Sequence, residues 1–303
     1  MHGQSATPAL LASNGDSNVV RPFDTHGGIA TYQMGDAAPT LSGKQLAHFN
    51  LAIREVDVTD AAGRSQVVAQ YDRPLIVDVL QYQDGSGANI GHASISQQSY
   101  GSIRFVIDAA ASQAVYTDNS TASLTFQYGR QTSSDARAGA STLTTPAGNG
   151  LVAIKNTQSF AIGSSASELV NVDFNLFESL AGTNDTSGGI SVRPALFVAG
   201  NSNSGHIGGT VDGSNGNPVN NATVVAIGSS GNVGNTVATD ASGRFDLHTL
   251  PADTYRIQIY NSYTNAAGAH FASKGGTSTR DVIFGPTITV GPGQNANAGT
   301  ITD

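Results

Sequence analysis

Cysteine and tryptophan are both absent from the 303 residues. Without cysteine there is no disulfide, no thiolate metal site, no cysteine nucleophile and no thiol to carry a lipid. Charge is sparse too. Only 12% of residues are Asp, Glu, Lys or Arg, about half the ~25% of an ordinary globular chain. The 14 basic residues are scattered among 22 acidic ones, so no cluster can neutralise phosphates, which argues against nucleic acid as a partner. No apolar run approaches the ~18 residues of a membrane-spanning helix. Met1 to Gln4 lack the basic start and apolar core of a signal peptide, and the expectation is that such a leader was removed.

Gly, Ser, Thr, Asn and Ala fill the space that charge leaves, a composition of short strands and many turns. The clearest strand signals lie in 206–259. Thr223 to Ile227 is β-branched apart from Ala226, which suits a strand covered on both faces. Asp240, Ala241, Ser242 and Gly243 form a tight turn, the Asp side chain bonding backbone two residues on and Gly supplying a positive φ. Phe245 and Leu247 alternate with Arg244, Asp246 and His248, the period of a half-buried strand. Tyr255, Ile257 and Ile259 share one face of the next.

These residues resemble the carboxypeptidase regulatory-like domain, a transthyretin-like seven-strand sandwich. The resemblance rests on Gly209, Thr210 and Val211, on Gly216 to Val219 with Ala222 to Val224, on Thr239 to Phe245, and on Leu250 to Tyr255. Asp253 stands where that family usually has Gly; Asp tolerates the left-handed region better than most residues. The resemblance implies a fold, and little about activity, because such modules ride on unrelated proteins.

A second strand pattern runs from Gly28 to Ala199. Phe49, Leu51 and Ile53 face one way and Val56 and Val58 the other, so a bulge is expected near Arg54 and Glu55. Further strands are expected at 67–68, 75–80, 103–107, 115–116, 124–128, 151–154, 169–177 and 190–198, with one helical turn near 79–83. Gly35 to Pro39, Val77 to Leu80, Tyr100 to Phe105, Val172 to Leu176 and Val192 to Pro194 resemble an uncharacterised domain family of bacterial and archaeal surface lipoproteins. That implies location and architecture, with no established activity. The lipid-bearing cysteine that usually precedes the family's domain is missing here.

The expected organisation is therefore all-β: an extended arm at 1–27, a larger sandwich at 28–199, a hinge at 200–205 joining two sandwiches end to end, and a smaller sandwich at 206–303. No catalytic, cofactor-binding or metal-ligating residue is assigned. The seven histidines are never two, three or four residues apart. The loop Asp212 to Asn217 looks like a calcium loop, but its twelfth position is Thr223 where a bidentate Glu is needed. Asp173 reads as a buried acid paired with Arg193 or Arg104. An intramolecular Lys–Asn crosslink of the kind found in surface adhesins does not fit, since 206–303 holds one lysine, Lys274, and no Glu.

The expected function is structural or adhesive, outside the cell or on its surface, without catalysis. Self-association or contact with other surface proteins would use strand addition, through Val19, Val20 and Phe23 in the arm or Ile288 and Val290 in a closing strand. The alternative is a monomeric glycan-binding or accessory module of a surface protein, with Tyr260 and Tyr263 as the aromatic platform for a glycan.

Overall fold

Alternation decides the longest strand first. In Lys44–Asp60 the buried faces change over at Arg54, where the ladder to both neighbouring strands slips between Ile53 and Glu55. The computed structural model describes residues 28–35, 40–41, 44–81, 88–96, 98–127, 141–144, 150–162, 167–180, 189–231, 233–264, 270–272 and 282–302. Opposite Arg54 the strand Ser65–Asp78 carries four residues, Tyr71 to Pro74, between two paired halves. Arg54 holds that bulge by donating to the Asp72 carbonyl at 2.6 Å and to Asp108 at 3.2 Å. The two strands expected at 67–68 and 75–80 are thus one, because the bulge absorbs Pro74 without ending the pairing.

The chain is all-β and forms two tandem sandwiches. In the larger, a sheet ordered Leu196–Gly200, Ser167–Phe174, Gly28–Gly35, Ala88–Ile95 faces a broader one built around Lys44–Asp60. Phe49 and Phe174, one from each sheet, meet with ring centroids 6.1 Å apart in the core between them. Two expected strands are interrupted. The stretch 169–177 is the strand Ser167–Phe174 followed by a helical turn, Leu176–Ser179, which Asn175 caps by accepting from the Glu178 N–H at 2.9 Å. The stretch 190–198 is Ile190–Val192 and Leu196–Gly200, parted at Arg193 and Pro194. The helical turn expected near 79–83 is a 3-10 turn at Val79–Gln81.

The smaller sandwich stacks a sheet ordered Arg244–Pro251, Ser204–Asp212, Asn295–Thr302 on one ordered Val233–Ala238, Thr223–Ile227, Asp253–Tyr260, Val282–Val290. Ile207, Leu247, Val224, Ile257 and Ile259 are completely buried between them. Its turn chemistry follows the sequence. Asp240 accepts from the N–H groups of Ser242 and Arg244, and Gly243 has φ +72°. Asp253 departs from expectation: it keeps an extended backbone, and its carboxylate is held by the Ser229 N–H and hydroxyl at 3.0 and 2.6 Å.

The two sandwiches do not meet end to end. Val224 and Ala226 enter the smaller core while Val225, between them, enters the larger, joined there by Val233. Ala238 and Tyr260 pack on the same patch. The smaller sandwich therefore docks sideways, through the outer face of Thr223–Ile227 and the edge strand Val233–Ala238. Residues 200–205 span a strand end, a 3-10 turn at Asn201–Asn203 and a strand start; Ser204 bonds the Gly200 carbonyl at 3.0 Å and its own carbonyl accepts from Gly293 at 2.7 Å.

Candidate functional site

Side docking sorts the sheet edges of the smaller sandwich. Val233–Ala238 and Arg244–Pro251 lie against the larger sandwich, near Leu176–Ser179, Ser167–Phe174 and Leu196–Gly200. Val282–Val290 and Asn295–Thr302, the opposite edges, have no further strand paired outside them among the described residues. Both open edges therefore stand at the ends of their sheets opposite the docked strands.

The strand Val282–Val290 buries Val290 and half-buries Ile283 and Ile288, while Phe284 points outward with 66% of its surface exposed. The Arg256 guanidinium sits 5.8 Å from the Phe284 ring, and Thr254 and Thr289 bond across the same face at 2.9 Å. A register shift opposite Arg256 and Gln258 bends the strand beside Pro286, which has no N–H to donate. Of the candidate assembly residues, then, Ile288 and Val290 lie on this open edge with their side chains turned to the core; Val19, Val20 and Phe23 lie outside the described residues. The candidate glycan pair divides. Tyr260 is half-buried against the larger core and donates to Gln258 at 2.7 Å, while Tyr263 lies on the next strand, Ser262–Thr264, opposite Phe271.

Where the sandwiches meet, a buried polar cluster replaces part of the apolar contact. Asn235 donates to Asp173 at 2.7 Å and to the His248 carbonyl at 2.8 Å, and accepts from Asn175 at 2.7 Å. Asn175 also donates to the Thr236 carbonyl at 2.8 Å, and Thr236 donates to Glu178 at 3.2 Å. Among the described residues no arginine reaches Asp173. Arg104 instead binds Asp57 at 2.6 Å and Glu55 at 2.8 Å, and Arg193 reaches Gln127 at 3.3 Å. Among the described residues one Asp173 oxygen has no hydrogen-bond partner, and burial pushes the carboxyl up to about 7, against the lowering effect of the Asn235 bond. The expected ion pair is thus an amide bridge, because the strand that faces Asp173 offers Asn235 and no cation.

Histidines come together as spacing between histidines did not suggest. His206 and His248 both turn Nδ1 toward one oxygen of Asp246, at 2.9 and 3.6 Å, with their rings stacked 5.6 Å apart. The local signal was Asp246 and His248 themselves, two apart on one face of a strand. His48 is held by Asp78 at 2.6 Å.

Two family models match the chain. One, described as domain of unknown function DUF4382, covers residues 28–194; the other, the carboxypeptidase regulatory-like domain, covers 206–302. Among solved structures, the chain is similar to the major pilin subunit of Bacillus cereus, at 11% identity over 91% of this chain and 98% of that one, with TM-score 0.26. It is also similar to the shaft pilin of Lactobacillus rhamnosus GG, at 11% identity, 91% and 95% coverage and TM-score 0.24. A third is a putative cell adhesion protein of Bacteroides fragilis, at 11% identity, 91% and 92% coverage and TM-score 0.19. No curated protein matches.

Proposed function

From the premise that this chain belongs to the DUF4382 family and closes with a carboxypeptidase regulatory-like domain, we propose a non-enzymatic structural or adhesive protein of the cell exterior that associates by strand addition. The observation that carries this reading is the open edge Val282–Val290, at the opposite end of its sheet from the docked strand Val233–Ala238, with Phe284 66% exposed. An unpaired edge presents a row of N–H and C=O groups to any extended segment. Pro286 removes one donor, so an incoming strand pairs with 282–285 or with 287–290 rather than with the whole length. The arm at 1–27, carrying Val19, Val20 and Phe23, is the segment proposed to add to a neighbouring copy. Sparse charge suits this, since few like charges oppose edge pairing.

Lysines on an edge block such pairing. The double variant Phe284→Lys, Thr289→Lys and the deletion of 1–27 are each expected to abolish higher-order assembly, read by light scattering and electron microscopy, with circular dichroism unchanged. A wild-type chain that stays monomeric at high concentration, or variants that assemble unchanged, would reject the reading. Glycan binding through Tyr260 and Tyr263 has less support, because Tyr260 is half-buried with its hydroxyl bonded to Gln258.

A further inference from the structure

We infer that His206, Asp246 and His248 form a binding site for one divalent transition-metal cation, zinc being the natural probe, on the outer face of the smaller sandwich. The donor atoms of the three residues lie within 4.8 Å of one another. His206 Nδ1 and His248 Nδ1 stand 2.9 and 3.6 Å from the same Asp246 oxygen. Ligands about 2.0–2.1 Å from a tetrahedral zinc lie about 3.3 Å apart, a spacing these two distances bracket. Two imidazoles and a carboxylate are a donor set that suits zinc and its first-row neighbours, while calcium and magnesium prefer oxygen throughout.

The backbone is built to bring the three together. Phe245 and Leu247 point into the core, which leaves Asp246 and His248 side by side on the outer face. His206 comes from the neighbouring strand, at a slip in the ladder where Gly205 pairs with Leu250 and Ile207 with Leu247. That slip sets two residues, His248 and Thr249, against the single His206, and Thr249 takes φ +56° to allow it. A β-branched residue in that region is strained, and such strain tends to gather at sites of function. Behind the site, Asn235 anchors the His248 carbonyl at 2.8 Å. The side chains are 30%, 25% and 25% exposed for His206, Asp246 and His248. A cation there keeps at least one position open to water or to a ligand from a second molecule, unlike a closed structural zinc site.

The test uses the full chain, freed of tag and stripped with chelator, titrated with Zn²⁺ in a calorimeter and with Co²⁺ followed by its visible absorption. Wild type is expected to bind one equivalent at this site. His206→Ala, His248→Ala and Asp246→Asn are each expected to weaken that binding about ten-fold or more, and to lose the tetrahedral cobalt spectrum. All three side chains are partly exposed and outside the hydrophobic core, and circular dichroism checks that the variants keep the fold. Zinc should also raise the Tm of wild type and of none of the three variants. A wild type that binds neither metal, or variants that bind as it does, would overturn the site.

Discussion

Asp173 concentrates the residue-scale chemistry. A carboxyl inside the contact between two sandwiches, with one oxygen lacking a partner among the described residues, is costly to ionise, and burial pushes it up to about 7. Its unfolded value is about 3.9, so the folded chain holds this proton more tightly than the unfolded one. Its contribution to stability is therefore complete below about pH 4 and disappears as pH rises through about 7. Urea unfolding of wild type across that window should give falling stability with pH, and Asp173→Asn should flatten the slope. A variant with the wild-type slope would contradict this account. The surroundings of Asp173 were half legible: a charged residue inside the alternation of Val172 and Phe174 advertises a buried acid. Its partner was not legible, since Asn235 lies 62 residues away and only docking of the sandwiches brings it near.

At the scale of single elements, the bulge in Lys44–Asp60 and the turn at Asp240 were readable because both are local. A phase slip in burial and an Asx turn involve neighbours in sequence. The strand Thr223–Ile227 was also read correctly as covered on both faces, although what covers it belongs to another part of the chain. Its neighbour Ser204–Asp212 carries a different constraint. A methyl group on Gly205 would collide with the Gln294 carbonyl, with Val290 at 2.6 Å and with the Gly291 carbonyl at 2.9 Å. Two of these are backbone atoms of the closing turn, which cannot swing aside. Gly205→Ala is expected to cost about 1–3 kcal/mol in chemical denaturation, the usual penalty of overpacking. A short hinge residue free of such contacts would tolerate the change, so a neutral result would restore the hinge.

For the molecule as a whole, the decisive feature is that one hydrophobic core crosses from the larger sandwich into the smaller at Val225 and Val233, with the Asn175–Asn235 bridge beside it. Two units that share a buried core and buried hydrogen bonds lose both when either one unfolds. Wild type should therefore unfold in one calorimetric transition. The double change Val225→Ala, Asn235→Ala deletes a buried apolar group and leaves Asp173 without its donor, and it is expected to separate the transition in two; a single transition in the variant would argue that coupling lies elsewhere. The same docking leaves Val282–Val290 as an outer edge, the placement on which strand addition depends.

By itself the sequence determined the all-β class, most strands, the turns and the presence of two sandwiches, because period-2 burial and Gly or Asp turn chemistry act over a few residues. Tertiary structure alone decided the sideways docking, the amide bridge to Asp173, which edges stay open, and the meeting of His206 with Asp246 and His248. Those depend on which residues of distant strands fall opposite one another, and strand register across a sheet or between sheets leaves no mark in the spacing of a single stretch of chain.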